Sequence, residues 1–400
     1  MSTQKSICLI SFSDFTLGRG EYLAKAMKAI GFEVSVVTNK PIYTGSLKPL
    51  RNALKRDNID IIEVPLPRLS YYDIISRLVQ YILFMIFSFI ILLKLRKSFD
   101  FYYSRGPQPF MEITCSVLKF FKGGKIISDI TDLWPDALEY VDMNGFLKRV
   151  LTLFGHSVNS LIWSKIDKII THNEVMAHIL SRRSGKEVHV IYGVIDLEKF
   201  KPIPKYEAIQ KLPKNIREKI KDDRFIVLYA GLLGPFQSPE IILKLAKLIK
   251  DVYVVIIGTG PLKEDLKRLV DEQQITNVIF LDPVPHSMMP IVYNIADLFL
   301  LTYMSTHFLK IGLPKKFIEY SACGRPILCI TPKCVASELC NMWRAGYSVT
   351  PERIDEAVHV VLNMISNGNV RDSMGKNARK MAEALFSIEK IKEELRVILT

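Results

Sequence analysis

The chain alternates short apolar runs with amphipathic stretches of helical period, and it does so twice, on either side of a charged, Pro-containing interval. A parallel strand can be joined to its neighbour only by a crossover. Such alternation therefore reads as parallel sheets covered by helices on both faces. In the first half, strands are expected at Ser6–Ser11, Val34–Thr38, Phe101–Tyr103, Lys125–Ser128, Lys168–Thr171 and Val188–Tyr192. A first helix is expected over Glu21–Ile30, with Gly31 as its C-terminal cap. In the second half, strands are expected at Phe225–Ala230, Val252–Ile257, Val278–Leu281, Leu298–Leu301, Pro326–Ile330 and Tyr347–Val349. Helices are expected over Pro239–Lys250, Leu262–Gln273, Ser287–Ala296, Pro314–Cys323, Ile354–Ser366, Val370–Leu385 and Ile388–Leu399. The predicted fold is α/β: a Rossmann-like domain over 1–200, a linker over 201–222, a second Rossmann-like domain over 223–385, and a final helix in 386–400 packing back towards the first domain. Two doubly wound domains in tandem are expected to face each other across a cleft, because ligands bind beyond the carboxyl ends of parallel strands.

The length of 400 residues exceeds one ordinary core and suits two. The formal charge of +13 admits three partners: nucleic acid, an anionic membrane, or acidic small molecules. Residues 40–125 hold 14 Lys and Arg against 6 Asp and Glu, so more than half of the excess lies in about a fifth of the chain. That interval contains Leu78–Leu93, sixteen residues without a charge, preceded by Arg77 and followed by Lys94, Arg96 and Lys97. As a helix over 77–97, it places Arg77, Gln80, Tyr81, Phe84 and Ser88 on one stripe and is apolar elsewhere. It is shorter than the roughly twenty apolar residues of a spanning helix. It reads either as a helix buried between sheet and neighbour or as a monotopic helix whose basic flanks meet anionic headgroups. The basic excess is not interleaved with aromatic platforms, so no nucleic-acid partner is expected.

The six cysteines include Cys323, Cys329, Cys334 and Cys340, spaced too widely for the usual zinc pairs; they read as small buried hydrophobes, and no metal is expected. The first apolar run is too short for a signal sequence, so a reducing cytoplasm is the expected compartment.

Candidate chemistry collects at strand exits. Gly18-Arg19-Gly20 follows the first strand, where glycine admits a close ligand and a helix start favours an anion. Ser128–Asp136 carries Asp129, Asp132 and Asp136, with Asp136 suited to capping the next helix. Arg105, at a similar exit, suits a phosphate. The run Ile311–Ile327 is the most informative. Gly312 and the helix start at Pro314 make an anion cradle, Lys315 and Lys316 add charge, and Glu319 one turn on suits a sugar or ribose diol.

The run Gly312-Leu313-Pro314-Lys315-Lys316-Phe317-Ile318-Glu319-Tyr320-Ser321-Ala322-Cys323-Gly324-Arg325-Pro326-Ile327 resembles the donor-binding signature of family 4 retaining glycosyltransferases of the GT-B fold. Gly31–Thr38, Asp129–Asp136, Tyr192–Phe200, Tyr229–Gly234 and Ile256–Leu262 resemble further parts of that family in order; Asp129–Asp136 takes the form found in bacterial surface-polysaccharide and lipopolysaccharide transferases. The resemblance implies retaining transfer of a sugar from a nucleotide diphosphate sugar to a lipid-linked or cell-surface glycan, on the inner face of the cell membrane, with no cofactor. It implies that Gly312, Leu313, Lys315 and Lys316 approach the diphosphate, that Glu319 holds the ribose, and that Val284 lies against the base. It places Gly20 at the diphosphate from the first domain and Asp132 near the anomeric carbon on the acceptor side, where Arg105 is also assigned.

The sequence departs from the family at two places. A first glutamate would fall at Ile311, and the stretch Gly234-Pro235-Phe236-Gln237-Ser238 lacks a basic residue often found there. No D-x-D triplet occurs, so charge neutralisation would fall to Lys315, Lys316 and backbone dipoles. Two other readings stand beside transfer: a nucleotide-sugar epimerase on the same fold, which should show an acid and a His together, and a non-catalytic membrane-associated homologue. His172, His286 and His307 fall near predicted strand ends, and none has an obvious carboxylate partner in sequence.

Overall fold

The first sheet is built from seven parallel strands: β1 (Ser6–Ser11), β2 (Glu33–Thr38), β3 (Asp60–Glu63), β4 (Phe101–Arg105), β5 (Lys125–Asp129), β6 (Lys168–Thr171) and β7 (Val188–Val190). Their spatial order is β3-β2-β1-β4-β5-β6-β7. The computed structural model describes residues 4–12, 19–39, 57–67, 69, 74–106, 111–140, 143–220, 223–304 and 311–400. Gly18 and His307, named above, lie outside the described residues. Residues Met1–Val194 together with Ile388–Thr400 form one compact unit, and Ile195–Ser387 form the second.

In the first unit, Ile7 to Ile10 of β1 are fully buried, because central parallel strands are covered on both faces. The helices Arg19–Ala29 and Ile388–Leu399 pack together over the sheet, with Leu23, Met27, Ile391 and Leu395 in one core. β3 was not expected. It is a four-residue edge strand with no fully buried residue, so its sequence carries no continuous apolar run.

The helices Ile74–Lys94, Met111–Lys122 and Gly145–Lys165 lie side by side. Right-handed crossovers put them on the sheet face opposite Arg19–Ala29. The reading of the apolar helix as buried is corrected here. Gln80, Phe84, Ser88 and Leu92 turn inward and are buried, while Leu78, Val79, Ile82, Ile86, Ile90 and Leu93 are exposed. Its polar positions Gln80 and Ser88 therefore face the protein, and most of its aliphatic ones face out. Among the described residues it is the one helix long and apolar enough to cross a bilayer.

A buried ion pair fastens the carboxyl edge of this sheet. Arg19 Nε and Nη2 donate to the two oxygens of Asp129, each at 3.0 Å, and Tyr103 donates to the same carboxylate at 3.1 Å. Arg19 Nη1 also donates to the carbonyls of Ile191 and Tyr192, beyond β7. One side chain thus ties the first helix to β5 and to the chain leaving β7.

The second sheet has six parallel strands: β8 (Phe225–Ala230), β9 (Val252–Ile257), β10 (Val278–Leu281), β11 (Leu298–Thr302), β12 (Ile327–Ile330) and β13 (Gly346–Val349), in the order β10-β9-β8-β11-β12-β13. The expected linker over 201–222 is corrected: it contains the helices Lys205–Lys211 and Lys214–Arg217 within the second unit. Ala208 and Ile216 on these helices, with Leu212 and Ile220 just beyond their ends, are buried. Pro204 and Pro213 start these helices at their N-caps, where proline is tolerated, and do not break them.

Removing one partner of a buried pair leaves a desolvated charge, so Asp129→Ala should lower unfolding free energy by about 3–5 kcal/mol. Urea unfolding measures it; a loss below about 1 kcal/mol would show that water screens the pair.

Candidate functional site

In the second sheet the chain order reverses between β8 and β11, which makes their carboxyl ends a topological switch point. The exits of β8 and β9 lie backbone on backbone there: Gly231 N donates to Ile257 O and Leu233 N to Thr259 O, both at 2.9 Å. A Cβ on Gly258, whose φ is +157°, would stand on the carbonyl oxygen of Gly231. Only glycine permits that approach. The segments Tyr229–Gly234 and Ile256–Leu262 are thereby brought together.

The helix Lys315–Ala322 begins at Pro314 and delivers two charges to different neighbours. Glu319 is buried; its Oε1 lies 3.0 Å from His286 Nε2 and 3.5 Å from Lys315 Nζ. Its Oε2 accepts from Tyr293 at 2.7 Å. Burial acts to raise the carboxyl, but the His286 contact, Lys315 and Tyr293 outweigh it and hold the group below the usual carboxylate range. Tyr293 is pushed well up by burial and then by the Glu319 charge, so it keeps its proton and donates. A carboxylate has about four acceptor positions, and His286 and Lys315 are half exposed. Glu319 can therefore take further donors from a ligand.

Lys316, about 100° round the helix from Lys315, turns the other way. Its Nζ donates to Tyr229 Oη at 2.9 Å and lies 4.1 Å from the Tyr229 ring centre and 5.4 Å from that of Tyr303. Tyr229 is the penultimate residue of β8 and Tyr303 follows β11, so the ammonium occupies the switch point itself. It also lies 2.9 Å from where a Cβ on Gly231 would stand. Burial pushes Lys316 down to about 7. Tyr320 completes the arrangement by accepting from Ala230 N at 2.8 Å and stacking on Phe299 at 4.1 Å.

The remaining expected residues are placed as follows. Gly312 and Leu313 are half buried just ahead of Pro314, and Val284 is half buried between β10 and His286. Ile311 is buried. In the first unit, Gly20 is buried in the first turn of the helix Arg19–Ala29. Its neighbour Arg19 points inward to Asp129, not outward to a ligand. Arg105 Nη1 donates to Ser11 Oγ at 3.2 Å, across the ends of β1 and β4, the switch point of the first sheet. Asp132 is half buried in the loop after β5, beside a cis Trp134–Pro135 bond. Asp136 begins a short 3-10 turn, Asp136–Tyr140, and pairs with Arg183 and His156; the cap of the helix Gly145–Lys165 is Asn144.

His286 is the main departure from expectation, since it does meet a carboxylate, Glu319, 33 positions away. Tyr229, Tyr293 and Tyr303 were also missed; being ordinary strand and helix aromatics, they carry no local signal. His172, beside the first unit's ion pair, is held neutral. Burial and then the Arg19 charge push it down to about 4.

Residues 212–381 match the family model of group 1 glycosyl transferases, a span lying wholly within the second unit. Over the whole chain, the structure superposes on the Anabaena protein HepE, solved in complex with UDP, with a TM-score of 0.71 at 15% identity, covering 99% of each chain. Its fold is that of the GT-B glycosyltransferases. A second GT-B structure, WaaG, a glycosyltransferase involved in lipopolysaccharide biosynthesis, superposes with a TM-score of 0.66 at 14% identity, covering 97% of this chain and 98% of that one. Among curated relatives, an uncharacterized glycosyltransferase of Methanocaldococcus jannaschii is 22% identical over 267 residues. That match takes in 65% of each chain, just under two thirds of the relative's length.

The lowered Lys316 gives a pH signature. Below about pH 7 it is charged in the free protein, and a bound diphosphate would keep it charged to higher pH. Affinity for a nucleotide diphosphate sugar should therefore fall as pH rises above about 7, by up to about tenfold per unit, and then level off. Calorimetric titration at several pH values checks this. Lys316→Arg, whose guanidinium stays protonated, should flatten the profile.

Proposed function

We propose that the chain transfers a sugar, with retention of anomeric configuration, from a nucleotide diphosphate sugar to a lipid-linked or cell-surface glycan. The observation that carries this reading is the helix Lys315–Ala322, which presents a buried carboxylate to one side and a half-buried ammonium to the other. The carboxylate of Glu319 suits a ribose diol, and Lys316 at the switch point suits a diphosphate. Lys316 also brings a basic group to the exit of β8, where Gly234–Ser238 has none. Lys315 and the backbone of Gly312 and Leu313 add donors for the phosphates, and Val284 is assigned to the base. UDP is the first nucleotide to try, since the Anabaena relative by fold was solved with it.

The leaving group is a nucleoside diphosphate, whose charge grows as the glycosidic bond breaks. Lys315, Lys316 and preorganised backbone dipoles would stabilise that charge without a metal ion. Gly20, Arg105 and Asp132 of the first unit are assigned to the diphosphate, the acceptor and the reacting centre respectively. Attack on the same face as departure is the proposed route to retention. A covalent glycosyl–Asp132 adduct found by mass spectrometry would contradict it.

The outward aliphatic side of the helix Ile74–Lys94, with Lys94 and Arg96 exposed beside it, supports a peripheral, monotopic site of action on an anionic membrane surface. The likeness in fold to WaaG agrees with a surface-glycan acceptor. A second reading is favoured by the His286–Glu319 pair, because an acid with a His is what a nucleotide-sugar epimerase needs.

A panel of nucleotide sugars, assayed for released diphosphate with and without membrane extract, separates the readings. Release that requires extract supports transfer, whereas interconversion without release supports epimerisation. Glu319→Ala should weaken donor binding by about 10- to 100-fold while circular dichroism is unchanged. Unaltered donor affinity in that variant would remove the ribose assignment.

A further inference from the structure

We infer that the second unit carries a further anion site, at the edge of its sheet opposite the switch point, which takes a small molecule bearing two phosphoryl groups. A cavity of about 610 Å³ lies there, a size that suits a small molecule. Asp297 and Pro326, which line it, directly precede β11 and β12, so it stands at the amino ends of these strands. Lys205, Arg325, Arg371, Lys376, Arg379 and Lys380 line it too. The helix Gly368–Phe386 supplies four of these six cations, and the loop 324–326 and the helix Lys205–Lys211 supply one each. A Cβ on Gly375 would stand 2.5 Å from the carbonyl oxygen of Gly324, so helix and loop lie backbone on backbone and bring their cations to one cavity.

Two of the six cations are engaged with the protein itself. Lys205 pairs with Asp297 at 2.6 Å. Arg379 pairs with Glu383 at 2.7 Å and donates to the carbonyls of Phe200 and Ala322, each at 2.8 Å. The other four have no carboxylate within ion-pair distance among the described residues. Arg325 donates to the Ile203 carbonyl and Arg371 to that of Met364, both at 2.8 Å, which leaves further N–H donors on each guanidinium. Asp372 is the one other carboxylate on the cavity. Burial pushes the Arg325 guanidinium down, against the pull of Asp297, and the Arg371 charge adds to that push. Lys376 and Lys380 are one turn apart, where like charges repel. An anion in the cavity would relieve both.

Charge and shape select the occupant. Four cations against Asp372 leave an excess of about three positive charges, and two phosphoryl groups bring about three to four negative ones near pH 7. The forks of Arg325 and Arg371 suit phosphate oxygens, which they can bind in pairs. A nucleic-acid strand asks for a groove with aromatic platforms, and no aromatic residue lines this cavity. The site is separate from the one at the switch point. Arg379 holds the carbonyl of Ala322, the last residue of the helix Lys315–Ala322, whereas Lys315 and Lys316 begin that helix, about 12 Å away along its axis.

Pyrophosphate is the probe, titrated calorimetrically into the full chain. The double variant Lys376→Glu, Lys380→Glu should bind one pyrophosphate fewer per chain, its affinity at the cavity having fallen by about tenfold or more. Both positions are exposed, so urea unfolding should be unchanged. Arg325→Gln, which keeps a donor for the Ile203 carbonyl, should have the same effect on binding. Lys247→Glu reverses an exposed charge elsewhere in the second unit and should have none. Lys315→Ala, at the start of the donor helix, should leave the cavity's binding in place. Wild-type stoichiometry and affinity in the double variant would overturn the inference. So would loss of all pyrophosphate binding in Lys315→Ala, which would assign the anion to the donor site. Inorganic phosphate should bind more weakly than pyrophosphate, and equal affinity would contradict a site for two phosphoryl groups. A short oligonucleotide that displaces pyrophosphate with higher affinity would make the ligand a nucleic-acid strand and overturn the inference as well.

Discussion

A parallel strand has to be reached by a crossover, and every strand pairing described in both units is parallel. That constraint sends the loops leaving the strands to one edge of each sheet. It also creates a point where successive crossovers diverge, and there two loops part and leave room for a ligand. In the second sheet that point lies between β8 and β11, where Lys316 stands between Tyr229 and Tyr303. In the first sheet it lies between β1 and β4, where Arg105 spans to Ser11.

Charge burial gives the second site its character. Glu319 stays ionised inside the protein because His286, Tyr293 and Lys315 converge on its two oxygens. Lys316 has aromatic faces and a tyrosine hydroxyl but no carboxylate among its described contacts, so it pays for burial with a lowered pKa. An acid satisfied within the protein and a cation that an anion would complete form an asymmetric pair. A nucleotide diphosphate, with a neutral diol at one end and a dianionic group further on, has the same asymmetry.

Much of this was legible in the sequence, and the failures share a cause. The strands of the second sheet are continuous apolar runs because both faces are covered, so nearly all of their positions could be read directly. The run from Gly312 to Ile327 also revealed its helix, its proline start and its charges. Edge strand β3 was missed because a half-exposed strand has no such run. The helices at Lys205–Lys211 and Lys214–Arg217 read as linker in the sequence because prolines that serve as caps have the same local signature as breakers. The His286–Glu319 pair and the inward turn of Arg19 join residues 33 and 110 positions apart, and no local pattern encodes them. The orientation of the apolar helix was unreadable for a similar reason. Periodicity identifies two faces, and tertiary packing decides that Gln80 and Ser88 turn in while Ile82 and Ile86 turn out.

The central claim is that the carboxyl edge of the second sheet, under the helix Lys315–Ala322, receives a nucleotide diphosphate sugar. Amide hydrogen exchange with and without such a ligand addresses it directly. The account predicts slowed exchange in three segments, 230–234, 258–262 and 312–319, together with slowing at Val284 and His286. Protection confined to other parts of the second unit, or no change at saturating ligand across nucleotides of different base, would contradict it.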